Sequence, residues 1–126
     1  MKRFLVLRSY VLVVKVDLLM RFRSLRAIHS LVRNQRVTPR SSDRRPAVEA
    51  ICRAVDLACV FYVKPVLCLQ RSAATTVLLR RCGWDARLCL GAQVAPFKSH
   101  AWVELDGKVV NDKPYVQKIY TVLERC

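Results

Sequence analysis

Cys68, His100 and Asp112 follow one another in the second half of this 126-residue chain. The cysteine opens an apolar run with helical spacing. The histidine sits in Ser99-His100-Ala101-Trp102-Val103-Glu104, which alternates as a strand does. The aspartate closes the next strand, beyond the tight-turn signal Asp106-Gly107. A thiol, an imidazole and a carboxylate in this layout are the working parts of a cysteine-nucleophile enzyme. A thiol is a poor nucleophile at neutral pH because little of it is ionised. A helix start favours the thiolate through its free N–H groups and its dipole, and Cys68 occupies such a start. The imidazole takes up a proton and returns it to a leaving group, and the carboxylate fixes the tautomer of the ring. Taken singly, each residue has a plainer reading: a core cysteine, a structurally satisfied histidine, a turn-capping aspartate beside Pro114. Taken together, they point to an enzyme.

Whether His100 and Asp112 can meet depends on the hairpin between them. A two-residue turn at Asp106-Gly107 pairs Leu105 with Lys108 and sends His100 and Asp112 to opposite faces. A three-residue loop, Leu105-Asp106-Gly107, with the glycine in a bulge, pairs Glu104 with Lys108, Trp102 with Val110 and His100 with Asp112. The second register is preferred, because a charge pair and an aromatic–aliphatic pair then accompany the catalytic pair. The first stays open.

The elements that must position these residues are legible in outline. Residues 4–34 read as one or two amphipathic helices. Residues 35–45 are polar, contain Pro39 and lack an apolar period, as a linker does. Pro46 suits the first turn of a helix reaching about Tyr62, with Ser42 or Asp43 as caps. Cys52 and Cys59 share a face of that helix and read as core. Pro65 interrupts the pattern, and a second helix runs from Cys68 to Cys82-Gly83, with Leu69, Ala73, Val77 and Leu78 as its apolar face. Arg80 and Arg81 in its last turn complement the dipole. Strands follow at 88–94, 99–105, 108–112 and 116–123. Helices and then an antiparallel meander make an α+β fold. Two segments are expected: residues 1–45, basic, helical and suited to docking a partner, and residues 46–126, the catalytic core.

Charge is uneven. The chain carries +14 overall, and residues 1–45 hold 12 Lys and Arg against Asp17 and Asp43 alone. Such an excess implies an acidic partner, a nucleic acid or an anionic surface, or simply a solvated helix face. Aromatic content of 8% and the lack of a stacking motif argue against a specific nucleic-acid binder. Arg8, Lys15 and Asp17 break the N-terminal apolar run, so neither a secretory signal nor a membrane span is expected. A cytoplasmic chain with reduced thiols follows. The six cysteines are widely spaced, without a C-x-x-C pair, and the only histidines are His29 and His100. No metal site and no cofactor is expected.

A longer pattern carries a resemblance. Cys68-Leu69-x-Arg71-Ser72-x-Ala74, Leu78-Leu79-Arg80-Arg81-x-Gly83, Leu90-Gly91, Pro96-Phe97-x-x-His100-Ala101-Trp102-Val103-Glu104, and Gly107 followed by Asn111-Asp112 resemble the lasso-peptide leader peptidases. These are the transglutaminase-like B proteins of lasso-peptide biosynthesis, called B-two when the peptidase stands alone. The likeness covers about residues 48–124. It implies a papain- or transglutaminase-like fold with the nucleophile at the start of a central helix. It also implies a triad of Cys68 as nucleophile, His100 as base and acid, and Asp112 as orienter. The implied reaction is hydrolysis of one peptide bond in a ribosomal precursor, releasing a leader whose penultimate residue is typically threonine. The freed core then passes to an ATP-dependent macrolactam synthetase, a further partner. With no leader-recognition domain apparent, the resemblance implies a separate recognition protein acting in trans. The Cys68 N–H is the expected first oxyanion donor. Tyr62, Lys64, Gln70 and Trp102 are side-chain candidates with no choice among them.

Two alternatives stand beside this reading. The same triad serves a transglutaminase-type acyl transferase, in which an amine intercepts the thioester. A non-catalytic basic binding module would use the charge alone.

Overall fold

The computed structural model describes residues 2–41, 45–94 and 96–126. At its centre lies a helix of small residues, α4 (Cys68–Arg81), which is buried at Gln70 and from Ser72 to Arg80. A stripe of four apolar residues does not account for this. Ala73, Ala74, Ser72, Thr75 and Thr76 let neighbours approach on every side. The Thr75 and Thr76 hydroxyls donate to the carbonyls of Arg71 (2.8 Å) and Ser72 (2.9 Å). A helix whose polar groups are satisfied from within can be surrounded.

Three helices and a sheet enclose it. α1 (Lys2–Phe22), α2 (Leu25–Asn34) and α3 (Val48–Val60) come first, as the helical periods of residues 4–34 and 46–62 predict. Leu12, Val13 and Val16 of α1 and Ile28 and Val32 of α2 are buried in the same cluster as Val55, Val77, Leu78 and Val103. The segments 1–45 and 46–126 therefore share one core. The caps expected at Ser42 and Asp43 lie outside the described residues, and Ala47 stands at the N-cap of α3. Residues 35–41 form no regular element, yet Thr38 N–H donates to the Arg80 carbonyl at 2.9 Å.

Arg80 lies in the last turn of α4, as expected, and does more there than face the helix dipole. It is buried, and its guanidinium donates to the carbonyls of Ala86 (2.8 Å), Val32 (2.5 Å), Gln35 (3.3 Å) and Cys126 (2.8 Å). One side chain thus ties α2, β1 (Ala86–Val94) and Cys126, the residue after the last strand, to α4. A buried cation is tolerable here because its N–H groups find acceptors.

The sheet corrects three expectations. β1, β2 (Phe97–Leu105), β3 (Lys108–Val109) and β4 (Thr121–Arg125) lie in the order β3-β2-β1-β4. All neighbours are antiparallel, and the fold is α+β. The sheet is not a simple meander, because β4 crosses to the far edge and pairs with β1. The strand expected over 116–123 is instead a short helix, α5 (Val116–Ile119), followed by β4. Val116 buries against Cys89 and Trp102 there, and this contact outweighs the alternating pattern. Finally, the hairpin takes the two-residue register: Leu105 pairs with Lys108 and Glu104 with Val109. Asp106 and Gly107 both have positive φ (52° and 78°), the geometry of a type I′ turn. The expected pairs Glu104–Lys108 and Trp102–Val110 do not form.

Candidate active site

From His100 to Val103 the residues of β2 alternate between two packed layers. Ala101 and Val103 point into the main core with α4, while Trp102 packs with Cys89, Val116, Tyr120 and Val122 on the opposite face. His100 belongs to the second set. Its ring lies 6.1 Å from Trp102 and 5.2 Å from Tyr120, near-parallel to both. Gly91, the β1 partner of His100, makes room for this stack. A Cβ there would stand 2.6 Å from Trp102 Cη2 and 2.9 Å from Tyr120 Cβ.

The observed register alone would separate His100 from Asp112. They meet because the β2–β3 ladder stops early. After the bond from Val110 N–H to the Val103 carbonyl (3.0 Å), residues 110–112 bend away. Asn111 replaces the missing strand partner: its Oδ1 accepts from Val103 N–H at 2.8 Å, and its Nδ2 donates to Ser72 Oγ at 3.0 Å. The bend turns the next side chain inward. Asp112 Oδ2 then lies 2.5 Å from His100 Nε2, with both side chains about four-fifths buried. Burial works against ionisation of Asp112. The hydrogen bonds from His100 and from Lys113 N–H outweigh it and hold the carboxyl below its ordinary value. With Nε2–H given to Asp112, Nδ1 carries the lone pair that can take a proton.

Cys68 is the first residue of α4, half-buried, and follows Leu67 in extended geometry. One turn further on, Ser72 Oγ donates to the Ala101 carbonyl at 3.1 Å, which docks this end of α4 on the strand bearing His100. The other five cysteines are free, and burial acts on all of them. It pushes the Cys52 thiol up to about 11. Burial and the Glu104 carboxylate push Cys89 up to about 12. Cys59, Cys82 and Cys126 are raised as well, so these five are held as thiols.

The start of α4 is fixed by a residue that sequence reasoning passed over. Asp17 of α1 is buried. It accepts from Tyr62 Oη (2.6 Å) and Gln70 Nε2 (3.1 Å), and it pairs with Lys64 Nζ (2.9 Å). Gln70 Oε1 in turn accepts from Leu67 N–H at 2.9 Å, one residue before Cys68. Three of the side-chain oxyanion candidates thus converge on one carboxylate. The fourth, Trp102, donates its indole N–H to Glu104 at 2.9 Å. Glu104 also takes Gln117 and Arg125, not Lys108. No local pattern marks Asp17: it is a lone acid in a basic helix, and only the fold brings its partners to it.

His29, Glu124 and Cys126 also gather, with ligand-type atoms within 4.8 Å of one another. His29 Nε2 lies 2.8 Å from Glu124 and 3.1 Å from Cys126 Sγ, and Arg33 bonds the same carboxylate oxygen. Both His29 contacts fall on the same ring nitrogen, and the Arg33 guanidinium supplies the charge facing Glu124. No helix among the described residues is long and apolar enough to cross a membrane.

The family model of the transglutaminase-like superfamily matches residues 12–125. The chain belongs to that superfamily. A stretch of 56 residues is 39% identical to the microcin J25-processing protein McjB of Escherichia coli. It covers 44% of this chain and 27% of that relative. The chain thus matches about a quarter of the relative's length. No solved structure matches. The superfamily match runs from the middle of α1 through β4, so α1, α2 and the Asp17 cluster lie within or across the matched region.

Proposed function

We propose that this transglutaminase-like protein is a cysteine peptidase that hydrolyses one peptide bond of a lasso-peptide precursor and releases its leader. The observation that carries the reading is the part-buried His100–Asp112 pair, downstream of a cysteine that starts the central helix, in a chain similar over 44% of its length to a microcin J25-processing protein. Cys68 Sγ gives up its proton to His100 Nδ1 and attacks the scissile carbonyl carbon. The Cys68 backbone N–H, free at the first helical position, faces the developing oxyanion. His100 then protonates the leaving amine, and a thioester to Cys68 remains. Water, deprotonated by His100, attacks the thioester, and the thiol is regenerated. Asp112 keeps Nε2–H occupied, so that Nδ1 does both transfers. The precursor is the substrate. A separate leader-recognition protein and the macrolactam synthetase are the partners this reading supplies.

Cleavage of a purified precursor, followed by mass spectrometry, tests the assignment. Cys68→Ala is expected to abolish free leader and core while the circular dichroism spectrum is kept, and His100→Ala to be nearly as severe. Asp112→Asn is expected to lose roughly 10²–10⁴-fold in rate, the scale of a misoriented general base. Processing at the normal rate by Cys68→Ala ends the proposal. The transglutaminase-like family keeps acyl transfer as the second reading. A cross-linked or amidated product, in place of free acid, would establish it.

A further inference from the structure

α1 is apolar on two faces, and the fold covers only one. Leu5, Leu12, Val13 and Val16 are buried in the core. The opposite side presents Phe4 (70% exposed), Leu7 (60%), Val11 (58%), Leu18 (47%) and Phe22 (73%), with half-buried Val14 completing the row. The intervals are three, four, three, four and four residues. That spacing is the narrow seam of a helix made to pack against another helix, and it is not the broad face of a helix lying on its own core. The seam runs about 27 Å along the axis, at ~1.5 Å per residue. A continuous exposed row of this kind on a folded protein marks an interaction surface.

The flanks decide what fits. Arg8 and Lys15 follow Leu7 and Val14 by one residue, on one side of the seam, and Arg21 lies on the other side. The only acid of α1, Asp17, is buried and engaged with Tyr62, Lys64 and Gln70, so it offers no opposing charge there. Lys15 and Arg21 are exposed. A second copy of this chain would set cation against cation along the seam. An anionic membrane would suit the charge, but the regular three- and four-residue spacing of the row is the pattern a partner helix interdigitates with, and a fluid surface has no use for it.

We infer that the outer seam of α1 docks an amphipathic helix of another protein, one whose apolar row is bordered by Asp and Glu. The apolar row supplies the buried contact, and the borders supply orientation and partner choice. The excess of cations over residues 1–45 speeds the encounter with such an acidic partner. This inference stands apart from the peptidase reading, because none of Cys68, His100 and Asp112 lies on the seam.

Two synthetic helices with one Leu/Val seam, flanked by Glu in the first and by Lys in the second, serve as probes. Fluorescence anisotropy against the full chain is expected to show the Glu-flanked helix saturating at one per chain. It is expected to bind at least about tenfold tighter than the Lys-flanked one. Leu7→Glu with Leu18→Glu should remove that binding while the melting curve is kept, since both side chains are exposed. Arg8→Glu with Lys15→Glu should invert the preference. Cys68→Ala should bind as the parent does. Equal affinity for the two helices, or binding of neither, overturns the inference. So does concentration-dependent self-association that the Glu-flanked helix does not compete with, or binding to phosphatidylserine vesicles without a preference between the helices.

Discussion

Replacing Gly91 by alanine places a methyl group where two aromatic side chains already stand. The new carbon would lie 2.6 Å from Trp102 Cη2, 2.8 Å from Cζ3 and 2.9 Å from Tyr120 Cβ. Carbon atoms at rest sit ~3.5–4.0 Å apart, so the indole must retreat by about 1 Å. It has little freedom to do so, being fully buried with its N–H held by Glu104. Overpacking of this kind costs about 1–3 kcal/mol. Gly91 has no positive φ, so the smaller entropy of the unfolded chain returns about 0.4–1 kcal/mol. A net loss of roughly 1–2 kcal/mol remains, which for a domain of this size lowers Tm by roughly 4–8 °C. Urea melts give the difference directly. The cause is checked in a Trp102→Phe background, where the clashing ring atoms are gone. There Gly91→Ala should cost at least about 1 kcal/mol less, a coupling that identifies the pair. Precursor cleavage should fall too, because the same two aromatics flank His100. A Gly91→Ala protein as stable as the parent, or an equal loss in both backgrounds, refutes the reasoning.

Two further outcomes follow from the supports of the site. Asp17→Ala leaves the buried Gln70 amide and the Tyr62 hydroxyl without their acceptor, at a cost of roughly 1–3 kcal/mol. The hydrogen bond from Tyr62 and then that from Lys64 hold the Asp17 carboxyl below its ordinary value. Its contribution is therefore complete above the unfolded value of ~3.9 and fades as pH falls through the lower, folded one. Urea midpoints of parent and variant should differ at neutral pH and converge in acid; a gap that stays constant with pH contradicts this. Asn111→Ala strips the acceptor from the buried Val103 N–H. Roughly 1–3 kcal/mol of stability should go, with cleavage reduced as Asp112 loses its approach to His100. Asn111→Asp, which keeps an acceptor at Oδ1, should recover part of both, and hydrogen exchange at Val103 reports the bond.

How much of this was legible in the chain differs from residue to residue. Pro65 and the apolar run after it place Cys68 at a helix start, and the structure begins α4 at that residue. The Asp106-Gly107 signal places a hairpin turn correctly. The register preferred from the chain, with Glu104 opposite Lys108 and Trp102 opposite Val110, is not the one that forms: Leu105 pairs with Lys108. The structure achieves the His100–Asp112 contact by another route, ending the ladder at Val110 and substituting the Asn111 side chain for a strand. Alternation over 116–123 suggested a strand where burial of Val116 favours a turn of helix. Arg80 is the helix-end charge its position indicates, and its role as a buried clamp on four carbonyls has no local signal.

Local matters can be read along the chain: where α4 starts, where the chain reverses at Asp106-Gly107, and the order of thiol, imidazole and carboxylate. These depend on backbone sterics and side-chain period within a few residues. Which strand lies beside which, and which carboxylate anchors the start of α4, are set by the closed fold. It also decides how Asp112 reaches His100, and which face of α1 stays uncovered. Those depend on pairing buried donors with acceptors far apart in the chain, as Asp17 does with Gln70 across α1 and α4. No local period encodes such a match; it is settled when the core closes and every buried polar group must find its partner.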